Sequence, residues 1–474
     1  MHYMRRGVDI RNTEKLSKTA MHGGILDFLV CLWYYYFSKF GNFLSLLWQN
    51  PWNEKEDIFM KDVLSKDSEN KKIKLLIIGI IMNCAGTEKS FLAFANALDY
   101  SRYDVTLLLA KKEGRLLGEI PKQIKVVTMD QRYADLFLLS GANSVKTMWN
   151  CFVKRNPLTL FEMFPYVAEL ILFPKRREAA ATRLWCRMMK KMPEADGKYD
   201  VCAAYWGERT MFYMCEKVNS DKMIAWFHSD YCNPRRDDKT YLKYFGQCDN
   251  IITVSELIGD SLKNTLPQIA DKCTVIENIN DPATIYEMSK HGDDFDDEYD
   301  GVRILTVARI CGPKGQDMAV EALGMLKKEG YKAHWYFLGG GDPEEIETLK
   351  RLAGKYGVSD DITLLGTTDN PYTYLRNCDI FALTTRFEGK PISVEEAKIL
   401  KKPILVTNYV SASEQLSGGD FGVICDMTPE SIFDGLKKLV GSPELRQQFS
   451  HRLSEHDFGN KSEIEKFYSM AEDR

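Results

Sequence analysis

Several absences narrow the reading of this chain before any motif is considered. Its most aromatic segment, 24–50, is interrupted by Asp27 and Lys39, which leave eleven uncharged residues (28–38) between them. A membrane-crossing helix needs about 20 apolar residues, so this segment is too short for one. No small-residue cleavage site follows it, which argues against a secretory signal. The twelve cysteines are scattered from Cys31 to Cys425 and never form a C-x-x-C pair. That spacing argues against a zinc knuckle or disulfide framework and for reduced, mostly buried thiols. There are only seven histidines, none paired at i and i+4, so no helical zinc site is expected. Charge of one sign is also lacking: 63 Lys and Arg stand against 67 Asp and Glu. A net charge of −4 gives no overall pull toward nucleic acid, so any basic site must be local. Neither G-x-G-x-x-G nor a D-x-D on a strand–loop junction is present.

What is present reads as two successive α/β domains after an N-terminal extension. Residues 1–71 form the extension and a polar linker; Trp, Tyr, Phe and Leu crowd 24–50. That composition suits a helix lying in a membrane interface. A helix packed on protein and a later translation start are the alternative readings. From Lys72 the pattern changes: IKLLIIGII (73–81) is a continuous apolar run, as a buried parallel strand requires. A loop, a helical pattern and a second strand (104–110) follow, opening a Rossmann-like unit over 72–280. Residues 281–300 carry the acidic run DDFDDEYD, which reads as a solvated linker. A second Rossmann-like domain spans 301–455, and 456–474 form a helical tail. Two such domains place an active site in the cleft between them.

Four groups of residues carry chemistry. Glu388 and Glu396 lie in RFEGKPISVEEAK, Glu388 on a loop after a strand and Glu396 on the following helix. Carboxylates accept paired hydrogen bonds from sugar hydroxyls, and the free N–H groups at that helix start suit a phosphate. Arg309 and Lys314, in VARICGPKG, put two cations near the carboxyl end of a strand, where they can neutralise a diphosphate. Gly86, in NCAGTEKS, lets backbone approach a ligand. His228 ends the strand of AWFHSDY, where open sheets bind ligands. Each group taken alone has a bland reading as exposed loop or structural residues, and GGGD (339–342) reads as a plain turn.

In order along the chain, NCAGTEKSFLAFANALD, KMIAWFHSDY, VSE (254–256), VIENIND, TVARICGPKGQDMAVEAL, LGGGDPEE and the long run from ITLLGTTDN through RFEGKPISVEEAK to PILVTN resemble glycosyltransferase family 4. This is a large family of retaining enzymes with the GT-B architecture. The likeness spans about 72–445, is most specific in the C-terminal half, and is strongest to members that build capsules and lipopolysaccharide outer chains. It implies a nucleotide-sugar donor bound by the second domain, and Arg309, Lys314, Glu388 and His228 as the catalytic set. Arg309 and Lys314 would hold the donor diphosphate, Glu396 its ribose, and Glu388 would lie beside the sugar. Gly86 and His228 would face the same cleft. The backbone around 389–393, with Gly389, Lys390, Pro391 and Ile392, would meet the transferred sugar and its phosphate. Lys390 stands where many members carry an aromatic or aliphatic residue. The expected reaction needs no metal or other cofactor. The expected acceptor is a glycan or lipid-linked glycan, and nucleic acid is not a partner. A sugar-nucleotide epimerase and a catalytically silent scaffold are the competing readings.

The expected location is cytoplasmic, at the inner face of the membrane. The argument is local charge: 151–193 carries nine Lys or Arg against three Glu. Leu184, Trp185, Met188, Met189 and Met192 recur there at helical spacing, with Arg183, Arg187, Lys190 and Lys191 around them. The pattern predicts an amphipathic basic helix facing anionic lipid.

Overall fold

The computed structural model describes residues 72–138, 146–232 and 236–473. The aromatic segment and the polar linker lie outside them.

The first α/β domain is a seven-stranded, all-parallel sheet. Its strands are β1 (Ile73–Gly79), β2 (Tyr103–Leu109), β3 (Lys125–Thr128), β4 (Lys198–Ala204), β5 (Asn219–Phe227), β6 (Asn250–Thr253) and β7 (Cys273–Val275), in the order β3-β2-β1-β4-β5-β6-β7. The order reverses between β1 and β4, and such a switch point opens a crevice at the strands' carboxyl ends. Leu75, Leu76, Ile77 and Ile78 of β1 are all buried, because helices cover both faces of a parallel sheet. The helices of this domain include α1 (Gly86–Ala97), α2 (Thr159–Leu172), which packs against α3 (Arg177–Met189), and α4 (Glu256–Thr265).

The second domain repeats the plan with six parallel strands: β8 (Val302–Val307), β9 (Ala333–Leu338), β10 (Ile362–Gly366), β11 (Ile380–Leu383), β12 (Ile404–Thr407) and β13 (Gly422–Cys425), ordered β10-β9-β8-β11-β12-β13. Here the switch lies between β8 and β11. Helix α5 (Gln316–Lys328) follows β8, and α6 (Ile392–Ile399) follows β11. The loops carrying Arg309, Lys314 and Glu388 therefore leave adjacent central strands. The last helix, α7 (Glu463–Glu472), returns to the first domain: Phe467 meets Phe94 edge-on at 5.0 Å, and the Tyr468 hydroxyl accepts from Asp99 N at 2.7 Å.

Two expectations change here. The acidic stretch 281–300 is docked rather than freely solvated. A short helix (Pro282–Met288) begins at Asp281, whose carboxylate accepts from Thr284 Oγ1 at 2.9 Å. Phe295 then packs on Tyr336 and Tyr374, and Asp297 pairs with Arg303 at 2.5 Å. Most of its other carboxylates are exposed.

Helix α3 does bury Leu184, Trp185, Met188 and Met189, as its spacing predicts. Its cations, however, are neutralised within the domain. Arg183 pairs with Glu169 (2.7 Å) and Asp237 (3.2 Å), Arg187 and Lys191 both pair with Glu162 (2.7 Å each), and Lys190 pairs with Glu216 (3.2 Å). Carboxylates far away in sequence consume the charge that the local count left unpaired.

Candidate active site

The second domain supplies the cationic wall. Arg309 follows β8 with its side chain exposed, and its carbonyl is fixed by the Gln316 amide at 2.7 Å. Lys314 ends a tight turn closed by Gly315, whose φ of +67° and close approach to the Thr384 carbonyl admit only glycine. The turn directs the ammonium of Lys314 onto the Glu388 carboxylate, in an ion pair in which both side chains are largely shielded. Gly339 and Gly341 lie against this loop: a Cβ on Gly339 would sit 2.0 Å from the Ala308 carbonyl, and one on Gly341 2.6 Å from that of Ile310. The glycine run read as a plain turn is thus what lets two strand ends lie side by side next to Arg309. A shallow depression within the second domain, lined by Ile310, Gly340, Lys350, Ile362, Gly366 and Thr367, adjoins this glycine run.

Gly389, Lys390, Pro391 and Ile392 lead into α6. Pro391 is extended (φ −64°, ψ 123°) and caps the helix from just outside its first turn, leaving the helical N–H groups beyond it. Gly389 is packed so closely against the first domain that a Cβ there would lie 1.9 Å from the His228 carbonyl. Gly86 approaches the start of α6, its Cβ direction 3.9 Å from Ile392 Cδ1. His228, Gly86, Gly389 and Ile392 therefore converge across the cleft.

His228 takes a particular form. Its Nε2 donates to the Tyr205 carbonyl at 2.9 Å, since a carbonyl can only accept. Burial pulls the imidazole down to about 4, so it is neutral at physiological pH, with Nδ1 left as an acceptor.

Two of the side chains expected at the donor site also make ion pairs with the first domain. Lys390 is buried and turned away to the first domain, 2.7 Å from Glu277, with Glu414 at 3.7 Å. Its side chain ties the second domain to the first. Glu396 is almost fully buried and is met by Lys89 Nζ at 2.8 Å and the Tyr372 hydroxyl at 2.9 Å. Glu414 also accepts from the Glu256 and Leu257 amides at 3.3 and 3.0 Å, capping α4 from across the cleft.

Nothing local ties Lys89, Tyr372, Glu277 or Glu414 to these contacts, because their partners lie more than twenty residues away. Glu88 is another. It sits in the first turn of α1, buried, and neither its Oε2 nor Trp206 Nε1 has a hydrogen-bond partner among the described residues. Burial pushes its carboxyl up to about 7, and its own backbone N–H, the nearby Trp206 indole and the Arg309 guanidinium offset only part of that. Among the described residues no cluster of three or more His, Cys, Asp or Glu is gathered as for a metal ion.

Residues 296–455 match the family described as glycosyl transferases group 1. A Haemophilus influenzae protein described as an uncharacterized glycosyltransferase is 28% identical over 253 residues, covering 52% of this chain and 68% of that one. The chain is a glycosyltransferase of GT-B fold. A Campylobacter jejuni enzyme, N-acetylgalactosamine-N,N'-diacetylbacillosaminyl-diphospho-undecaprenol 4-alpha-N-acetylgalactosaminyltransferase, is 26% identical over 183 residues. That match covers 38% of this chain and about half (48%) of the relative's length. Among solved structures, Anabaena HepE in complex with UDP superposes with a TM-score of 0.56 at 12% identity, over 84% of this chain and 98% of that one. The superposition shows the fold, and the matched stretch 296–455 contains Arg309, Lys314, Glu388 and Glu396 of the enzyme.

Proposed function

We propose that the enzyme transfers a hexose or N-acetylhexosamine from a UDP- or GDP-sugar, with retention at the anomeric carbon, to a growing lipid-linked cell-surface glycan. The observation that carries this reading is the convergence of Arg309, the Lys314–Glu388 pair and the start of α6 at one switch point. A diphosphate seated there meets two cations and free helix N–H groups. Such preorganised charge stabilises a leaving diphosphate without rearrangement. The bond from the anomeric carbon to the diphosphate oxygen breaks, and the acceptor hydroxyl oxygen bonds to the same face. The hydroxyl proton passes to the departing diphosphate oxygen. The names of the relatives support a polysaccharide-assembly setting, and the undecaprenyl-linked acceptor in the Campylobacter enzyme's name supports a lipid carrier.

The protein's own cations do the neutralising in this mechanism, so no metal is required. The test is hydrolysis of a panel of UDP- and GDP-sugars by the purified protein, with and without excess chelator. One donor cleaved equally well in both conditions is the expected result. Cleavage abolished by EDTA and restored by manganese overturns the metal-independent mechanism, and no cleavage of any donor overturns the donor class.

A further inference from the structure

The five most exposed large apolar side chains among the described residues all lie in one short segment: Leu158 (61%), Phe161 (73%), Phe164 (71%), Leu172 (65%) and Phe173 (52%). They belong to α2 and its two ends. At about 100° per residue, positions 158, 161, 164 and 172 fall within an arc of about 120° on the helix surface. The opposite side of α2 is already used, since Met163 is buried in the core and Leu160, Val167 and Leu170 pack against it. Glu162 and Glu169 occupy the flank toward α3, where they neutralise Arg183, Arg187 and Lys191. The outer stripe is therefore apolar and uncharged.

Cations frame it. Lys154 and Arg155 precede the helix and Lys175, Arg176 and Arg177 follow it, all exposed. Unlike Arg183, Arg187, Lys190 and Lys191, the trio 175–177 has no carboxylate partner among the described residues. A monomer rarely leaves a contiguous apolar patch in water without a use for it. Phenylalanine and leucine with lysine and arginine at the margins is the composition of a surface that enters a bilayer interface. The aliphatic stems of the basic residues reach along the apolar boundary while their charges meet anionic headgroups.

We propose that the outer face of α2, with the basic segment 175–177, seats the enzyme on an anionic lipid bilayer. The surface differs from the α3 cations that the sequence points to, and it stands independently of which sugar or acceptor the enzyme uses.

The experiment is co-sedimentation of the full chain with vesicles of phosphatidylcholine alone and of phosphatidylcholine mixed with phosphatidylglycerol. Circular dichroism and donor hydrolysis in solution, read in parallel, report folding and the donor site. The expected result is binding to the anionic vesicles, weakened by high salt. F161S/F164S should lose at least tenfold in partition, K175Q/R176Q/R177Q severalfold, and R183Q/R187Q much less than either. Folding and donor hydrolysis should be unchanged in the first two, whose side chains are exposed. Three outcomes overturn the proposal. One is no binding of the wild type to anionic vesicles. Another is unchanged binding of F161S/F164S, which assigns the anchor to another part of the chain. The third is a vesicle-independent dimer that F161S/F164S converts to monomer, which assigns the face to self-association.

Discussion

Removing the two cations of the site should have separable consequences, because the structure sets them in different surroundings. Arg309 is exposed beside the cleft, and its loop is fixed through its carbonyl by Gln316. Arg309→Ala should leave folding unchanged and remove one charged partner of the leaving diphosphate. Losing one preorganised partner costs about 2–4 kcal/mol of transition-state stabilisation, a fall in kcat/KM of roughly 30- to 1,000-fold. Lys314 is different. It is ion-paired to Glu388, and both side chains are mostly withdrawn from water. Lys314→Ala should cost a comparable amount in catalysis, and it also strands a carboxylate. An uncompensated, largely buried charge costs about 3–5 kcal/mol at full burial, and the residual exposure of this pair brings the figure toward the lower end. Lys314→Ala should therefore melt at a lower temperature than wild type, and the double variant Lys314→Ala/Glu388→Gln should recover much of the loss in stability but none of the activity. Steady-state donor hydrolysis and thermal denaturation on the same preparations decide the matter. If Arg309→Ala keeps kcat/KM within twofold of wild type, the diphosphate assignment fails. If the double variant is no more stable than Lys314→Ala, the pair is not what Lys314 contributes to folding.

Other consequences can be measured on the same protein. Glu396→Ala should weaken UDP or GDP binding in calorimetry more than Glu388→Ala does, and equal losses would contradict the division between ribose and sugar. Gly389→Ala forces a Cβ against the His228 carbonyl, so it should cut donor turnover at least about tenfold by holding the domains apart, on the reasoning that small displacements of a site cost about a hundredfold; near-normal turnover would show that the cleft tolerates the opening. Glu88, raised to about 7, binds a proton more readily folded than unfolded. Its contribution to stability is present below the ordinary carboxylate range and is lost as pH rises through about 7, so the advantage of Glu88→Gln over wild type should widen between pH 5 and 8. A pH-independent difference in melting temperature would refute that ionisation state.

The strands of both sheets were readable because continuous apolar runs such as 73–79 admit few alternatives to a buried parallel strand. The placement of the loops carrying Arg309, Lys314 and Glu388 was readable because each follows a central strand of the second sheet. The cross-cleft pairs were not, because nothing local tells Lys390 that Glu277 will be 2.7 Å away or sends Lys89 to Glu396. The pairing of the α3 cations was hidden for the same reason. The stripe on α2 did leave a trace: TLFEMFPYVAELIL holds more apolar residues than one buried helix face can take.

The return of α7 to the first sheet has a mechanical meaning. The chain passes between the domains twice, once after β7 and again before α7. One crossing would act as a universal joint, allowing twist and swing in every direction. Two crossings define a line, and rotation about that line is the motion that strains neither strand. Any opening of the cleft should therefore be a hinged swing that carries Arg309 and the start of α6 toward and away from Gly86 along one arc. Helix α7 is part of that hinge, since Phe467 and Tyr468 are packed into the first domain's core, and a chain lacking it would lose the axis along with the packing.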